Sequence, residues 1–300
     1  MEPAAQAVRP VPIKAVPVRH YGQWAAAAIV LAAAAWLAYA FATTKNIQWS
    51  VVGEYLFRSE ILSGVVKTLE LTAIAMTVGV LGGIVLAVMR LSTNRVLRVV
   101  SGAYLWFFRG TPVLVQIVMW FNLALVFPRI GFGPFSHDTN SLISPFTAAL
   151  LALSLNEAAY MAEIVRGGIL SVDSGQTEAA HALGLSSRLT MSRIVLPQAM
   201  RVIVPPTGNE VITMLKTTAL VVVIGAQELW TQATNYGNKN FTTVELYIVA
   251  SIWYLAMTSV LTIFQSRLER KYAKGLTFSG TQRGVVSRML GLRSSQGGAA

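Results

Sequence analysis

The chain contains no cysteine, only three histidines, and few charged residues. Without cysteine there can be no disulfide bond, thiolate metal site or cysteine nucleophile. The histidines, His20, His137 and His181, have no ligand spacing, so we expect neither a metal site nor a histidine-based triad. Charged residues make up 12% of the 300 residues and hydrophobic residues 54%, with a mean hydropathy of +0.56. This composition predicts an integral membrane protein.

Two further absences restrict the function. No phosphate-binding loop of the G-x-x-x-x-G-K-[ST] type occurs, so the chain is not expected to bind ATP in that way. The net charge of +11 would suit a nucleic-acid binder, but the basic residues lie beside apolar runs. Membrane orientation explains this charge better, and we expect no nucleic-acid partner and no cofactor.

Apolar segments divide the chain into membrane spans. About 20 residues cross the hydrocarbon core of a bilayer, and such runs cover residues 24–43, 65–89, 145–164, 202–224 and 246–264. Residues 96–127 are too long for one crossing. Their first part is expected along the interface, with Thr111 and Pro112 restarting a helix as N-cap and first-turn proline. Gly79 and Gly83 are spaced for close helix contact.

The first span is preceded by a proline-rich stretch, residues 1–20, which we interpret as a disordered tail. Ala38-Tyr39-Ala40 resembles a signal-peptidase site, but the leading tail is long for a signal peptide, which favours retention as an anchor.

Lysine and arginine are distributed unevenly between the two sides of the predicted bundle. Of the 24 basic residues, 18 fall in the tails and in the pieces 90–109 and 166–201, whereas 5 fall on the opposite side. The positive-inside rule therefore places both termini and the segment 166–201 in the cytoplasm. Lys216 falls deep inside a span, whereas Lys67, near the start of residues 65–89, is counted on the opposite side.

That cytoplasmic segment has the pattern of two short helices joined by a turn. Asp173 or Ser174 can cap the first helix, with Glu178 expected in its first turn, where the helix dipole favours an anion. Gly184 can take the left-handed conformation that ends a helix, and Pro197 is expected to stop the second one. The residues expected on the apolar faces are Ala179, Ala180 and Leu183, then Met191, Ile194 and Val195. A docking surface and an amphipathic loop resting on lipid both fit this pattern.

This segment resembles the EAA loop of bacterial ABC-importer permeases, in which it contacts a separate ATPase. The residues at the family spacing are Glu178, Ala179, Ala180, Gly184, Ile194, Leu196 and Pro197. Further motifs resemble the polar amino-acid permeases of the histidine/glutamine/arginine type over residues 61–272. They include Thr68-Leu69-Glu70-Leu71-Thr72, Arg109-Gly110-Thr111-Pro112, Ser154-Leu155-Asn156, Asn209-Glu210 and Leu215-Lys216.

The resemblance implies an all-α integral membrane protein with the transmembrane domain of an ABC type I importer. A five-span core would occupy residues 61–272, including an EAA loop at about 167–201. An extra N-terminal span and external loop would occupy 21–60, and residues 1–20 and 273–300 would be cytoplasmic tails. The implied partners are a cytoplasmic ABC ATPase dimer, a second permease subunit, identical or sister, and an extracytoplasmic amino-acid-binding protein. The chain would be a non-catalytic subunit in the bilayer of a bacterial inner membrane.

One departure from the family concerns the cargo. Relatives often have Lys-Asp-Thr-Ser-Leu where this chain has Lys216-Thr217-Thr218-Ala219-Leu220, so an acidic side chain is missing. If this segment meets substrate, the side-chain preference is expected to differ from that of relatives, and a cationic substrate is less expected.

Polar residues inside the spans are candidates for the substrate pathway. A lysine at the centre of a span is unfavourable by ~2.5–3.5 kcal/mol on insertion scales, so it is expected to face the bundle interior or a polar cavity. The set is Lys216, Thr217, Asn156, Glu157 and Tyr160. The alternative is that Lys216 pairs with Glu157 or Glu210 as a structural contact. Arg109 is expected to extend to the cytoplasmic headgroups.

Three other functions remain open on the sequence. An ion-coupled secondary transporter would normally have more spans and internal repeats. A membrane enzyme would need a cluster of catalytic groups, and the acids at membrane depth are few. An ABC permease for another small solute, such as an opine or osmolyte, differs only in its cargo.

Overall fold

The computed structural model describes residues 21–272, in two units. The predicted tails, 1–20 and 273–300, lie outside the described residues. The first unit contains α1 (Tyr21–Thr43), a 23-residue apolar helix. At 1.5 Å per residue it is ~34 Å long, enough to cross a bilayer. The described residues contain five helices that are long and apolar enough for this, and α1 is one of them.

The second unit begins with α2 (Trp49–Leu56) and is built around four long helical segments. These are α3 (Ser59–Leu91), α7 (Pro145–Leu170), a segment over Ser187–Ile224, and α12 (Thr243–Tyr272). The shorter elements include α4 (Arg95–Gly110), α5 (Val113–Phe121), α6 (Thr139–Leu142), α8 (Ser174–Ala182), α11 (Leu229–Asn240), and a small hairpin of β1 (Arg129–Ile130) with β2 (His137–Asp138). In the antiparallel hairpin Arg129 pairs with Asp138.

The segment between α3 and the hairpin breaks close to the predicted position, but the capping roles differ. Thr111 is the C-cap of α4, and its hydroxyl donates to the carbonyl of Phe107 at 2.8 Å. Pro112 is the N-cap of α5 rather than its first residue. The expectation of Thr111 as N-cap was therefore wrong by one position, because Thr111 and Pro112 both adopt extended backbone between the two helices.

Helices α3 and α7 form the most extensive contact in the described bundle. A Cβ atom on Gly79 would come within 2.5 Å of Cγ of Glu157, and one on Gly83 within 2.4 Å of Cβ of Met161. Real side chains cannot approach this closely, so both positions require glycine for the present packing. The predicted close contact at Gly79 and Gly83 is confirmed.

The third long segment contains α9 (Ser187–Thr190), a π-helical turn (Met191–Val195), α10 (Leu196–Thr217) and a 3₁₀ turn (Thr218–Ile224). Pro197 was predicted to stop the helix here, and this was wrong. It lies in the first turn of α10, where a proline disturbs the hydrogen-bond pattern least, directly after the π-helical turn. The predicted fifth span therefore begins earlier, as a continuation of the second short helix.

Inside α10, Pro205 and Pro206 interrupt the backbone ladder without ending the helix. The buried side chain of Gln265 on α12 contacts α10 at this point, since its Nε2 donates to the carbonyl of Pro205 at 2.6 Å and to Glu269 at 2.9 Å. Gly208 leaves the space that this side chain occupies. The two prolines thus coincide with a fixed contact between α10 and α12.

Candidate functional site

The segment between α7 and α10 forms a sharp helical corner, which we call the docking turn (residues 173–197). The side chain of Asp173 caps α8 by accepting from the amide of Gly175 at 2.7 Å, as predicted. Gly184 has φ of 76° and ends α8 in the left-handed conformation, which is also confirmed. The amides of Gly184 and Leu185 donate to the carbonyls of His181 and Ala180 at 2.9 and 3.0 Å. This pair of hydrogen bonds is a Schellman motif, which fixes the angle of the corner.

The predicted docking residues divide into two groups by exposure. Those on the surface are Glu178, Ala179, Gly184, Leu196 and Pro197. Ile194 is half-buried, and Ala180 is only 1% exposed because it packs α8 against the following turn. Leu183 stands at the tip of the corner with 82% of its surface exposed. Glu178 lies in the second turn of α8, not the first, because the helix begins at Ser174.

A cavity of about 540 Å³, which we call the central cavity, lies among α7, α10 and the junction between α4 and α5. Four of the five predicted pathway residues line it: Asn156, Glu157, Tyr160 and Thr217. The other polar residues in its wall are Arg109, Thr111, Glu210 and Thr213. The cavity therefore holds two carboxylates and one guanidinium group.

One oxygen of the Glu157 carboxylate has no partner within the described part of the chain. The residue is 4% exposed, and its Oε1 is buried with no hydrogen-bond partner among residues 21–272. A buried carboxylate oxygen without a donor is costly, so such a group calls for a partner. The stem of Glu157 lies against Gly79, which leaves the head of the side chain at the cavity wall.

Asn156 lines the cavity, but its amide nitrogen has a structural role. It donates to the carbonyl of Phe108 at 2.8 Å and to Oε1 of Gln116 at 3.3 Å. Gln116 in turn donates to the carbonyls of Phe108 and Thr111 at 3.0 and 3.1 Å. These bonds satisfy backbone groups at the break between α4 and α5 and hold the junction in the cavity wall.

Lys216 lies outside the central cavity. It is exposed and lines a separate hollow of about 270 Å³ with Ala219, Trp230 and Tyr254. No ion pair joins it to Glu157 or Glu210 within the described part of the chain. Successive residues of a helix point in different directions, so Thr217 faces the cavity and Lys216 does not.

Arg109 and Glu210 line the central cavity although the sequence pattern did not assign them to the pathway, and Gln116 supports its wall at the junction between α4 and α5. Arg109 was expected to extend to headgroups, but its guanidinium carbon lies 5.4 Å from the centre of the Tyr160 ring at the cavity wall. Arg109 and Glu210 both belong to motifs quoted above, which was the available signal. Within residues 21–272, no group of three or more histidine, aspartate or glutamate side chains is arranged to hold a metal ion.

Comparison with known proteins agrees with this architecture. The family described as binding-protein-dependent transport system inner membrane component matches residues 79–274. The chain belongs to this family. It is therefore a multi-pass membrane subunit with the ABC type I importer fold, and the predicted fold class and family are confirmed.

Among its relatives, the arginine transport system permease protein ArgU of Corynebacterium glutamicum is 46% identical over 95% of this chain and 91% of its own length. The glutamine transport system permease protein GlnP of Escherichia coli K12 is 34% identical over 70% of this chain and 92% of its own. The crystal structure of an amino acid ABC transporter with histidines is 38% identical, with a TM-score of 0.63 over 71% of this chain and 94% of that one. The match to ArgU reaches into residues 1–60, where the motif resemblance did not extend.

Proposed function

We propose that this permease imports polar amino acids, with a preference for those that carry a positive side chain, and that the central cavity is their binding site. The observation that carries the proposal is the pairing of two carboxylates, Glu157 and Glu210, with one guanidinium group, Arg109, in one cavity. The names of the relatives, which refer to arginine and glutamine transport, support amino acids as the cargo.

The charges of a cationic amino acid complement those of the cavity. Its carboxylate suits Arg109, whose planar guanidinium can bind a carboxylate through two parallel hydrogen bonds. Its ammonium and side-chain cation suit Glu157 and Glu210. Glu157 and Glu210 thus supply the acidic groups that the segment after Lys216 lacks. This reverses the substrate preference that was expected from the sequence alone.

The same proposal covers the assembly. Two permease subunits would stand on a cytoplasmic ATPase dimer that contacts the docking turn, with an extracytoplasmic binding protein delivering cargo from the other side. The exposed residues Glu178, Ala179, Leu183, Leu196 and Pro197 would meet the ATPase. The excess of lysine and arginine on one side supports cytoplasmic termini. Lys216 is left out of the proposed pathway.

The test is ATP-driven uptake by the complex reconstituted with its ATPase and binding protein, using radiolabelled arginine, lysine, glutamine and glutamate. We expect uptake of the cationic pair to exceed that of glutamate. The Glu157→Gln variant should lower the efficiency of arginine uptake on the order of 10- to 100-fold, as loss of a charged hydrogen bond worth ~1.5–3 kcal/mol implies.

Two controls separate a pathway effect from a general one. Glu70→Gln removes a carboxylate from α3 that is half-exposed and paired with Lys67 at 2.7 Å, and it should leave uptake unchanged. Lys216→Met should also transport normally. Equal losses in Glu157→Gln and Glu70→Gln, or uptake that needs a proton or sodium gradient and no ATPase, would contradict the proposal.

A further inference from the structure

A second hollow of about 600 Å³ adjoins the central cavity, and we call it the basic cleft. It lies between the end of α3, α4 and α7, and its charged residues are Arg90, Arg109, Arg166 and Glu163. Arg166 is paired with Glu163 through two contacts of 3.2 and 2.7 Å, and Arg90 donates to the carbonyl of Arg98 at 3.4 Å. Arg90 and Arg166 belong to the pieces that the charge distribution assigns to the cytoplasm, so the cleft opens toward that side under the proposed orientation.

Three residues line both hollows: Arg109, Gly110 and Tyr160. The partition between the central cavity and the basic cleft is therefore formed by two side chains and one glycine. The guanidinium of Arg109 lies over the Tyr160 ring at 5.4 Å. No other hydrogen bond or ion pair of the Arg109 side chain is found among residues 21–272.

The two sides of this partition are supported differently. Tyr160 lies inside α7, which is continuous over 26 residues and packed against α3 along its length. Arg109 lies in the last turn of α4, directly before the extended residues Thr111 and Pro112. A cation–π contact is weak beside a hydrogen-bonded ion pair. The Arg109 side chain can therefore leave the ring without breaking a hydrogen bond of its own, while the backbone of α4 stays joined to α7 through the bond from Asn156 to the carbonyl of Phe108.

We propose that Arg109 and Tyr160 form the inner barrier of the transport pathway, which separates the central cavity from the basic cleft and opens when the Arg109 side chain moves away from the Tyr160 ring. This rests on the proposed function, since it assigns the central cavity to cargo. It adds a closing role to Tyr160 and identifies Arg109 as the moving half of the barrier. The three guanidinium groups of the cleft would then meet the carboxylate of a departing amino acid.

The absence of cysteine permits a test that does not depend on the cargo. A single cysteine introduced as Thr213→Cys places a thiol in the wall of the central cavity. The complex, reconstituted with its ATPase and held with a non-hydrolysable ATP analogue, is treated with a charged, membrane-impermeant thiol reagent added to the cytoplasmic face. The rate of modification is compared among the parent variant and versions that also carry Tyr160→Ala, Tyr160→Phe or Arg109→Met. A cysteine at the exposed docking-turn position, Ser192→Cys, reports equal reagent access.

We expect Tyr160→Ala and Arg109→Met to raise the rate of modification of the cavity thiol at least tenfold, because each removes one half of the barrier. Tyr160→Phe keeps the ring and should match the parent, and modification at Ser192→Cys should be equal in all backgrounds. An unchanged rate in both Tyr160→Ala and Arg109→Met overturns the inference, and so does an equal rise in Tyr160→Phe. Failure of the wild-type complex to take up any amino acid would instead contradict the proposed function, and the labelling result would stand separately.

Discussion

Glu228 is a buried carboxylate whose replacement should destabilise the bundle strongly. It is 2% exposed and is the N-cap of α11. Its Oε1 accepts from the amide and hydroxyl of Thr231 at 2.7 and 3.0 Å. Its Oε2 accepts from the hydroxyl of Tyr254 on α12 at 2.8 Å, the amide of Trp230 at 2.9 Å, and the hydroxyl of Thr68 on α3 at 3.2 Å. One side chain therefore joins three helices.

The loss of unfolding free energy in Glu228→Gln depends on which of these donors still find an acceptor. The amide of glutamine supplies one oxygen, which can keep the two bonds from Thr231, and one NH₂ group, which faces the three donors of Oε2. The hydroxyls of Tyr254 and Thr68 can rotate and accept, but the backbone amide of Trp230 cannot. An unsatisfied buried amide costs ~1–3 kcal/mol, and the loss of a charged acceptor adds ~1 kcal/mol. We expect a total of about 2–4 kcal/mol.

The assay is thermal unfolding of the purified permease in detergent, followed by tryptophan fluorescence. A change of this size corresponds to a decrease of roughly 4–16 °C in Tm for a domain of this length. Glu54→Gln is the matched control, since Glu54 forms an exposed pair with Arg58 at 3.5 Å, and such pairs contribute ~0–1 kcal/mol. Equal Tm values for wild type and both variants would refute the assigned role of Glu228.

Two further substitutions test backbone requirements. Gly184→Ala places a side chain at φ of 76°, where a non-glycine residue costs ~1–2 kcal/mol. We expect this variant to co-purify less ATPase. Gly184→Asn should be less affected, because asparagine tolerates this conformation. Gly79→Ala would bring a methyl group within 2.5 Å of Cγ of Glu157 and should reduce uptake severely, whereas Gly53→Ala, with nothing within 4 Å, should not. Full uptake by Gly79→Ala would show that α3 and α7 separate at no cost.

Features that depend on a few neighbouring residues were predictable from the sequence. Asp173 and Gly184 were assigned correctly because a cap and a left-handed helix end obey local rules. Gly79 and Gly83 were also predictable, because small residues one turn apart permit close helix packing. The family resemblance added the fold, since its motifs extend over most of the chain.

Features decided by distant partners were not predictable in this way. Pro197 was expected to end a helix, but the π-helical turn before it lets the helix continue. The composition of the central cavity depends on α4, α7 and α10 meeting, so Glu210 and Arg109 could not be joined to Glu157 from spacing alone. Lys216 and Thr217 are adjacent in sequence, and only the rotation of α10 decides which of them faces the cavity.

The contact of Gln265 with Pro205 gives α10 a pivot point between its two ends. At 1.5 Å per residue, ~14 Å of helix lies between Leu196 and Pro205, and ~18 Å lies between Pro205 and Thr217. A tilt of about 10° around this point would shift Thr217 by ~3 Å, roughly the width of a water molecule. Small displacements of α10 at its docking-turn end would therefore suffice to reshape the wall of the central cavity at its other end.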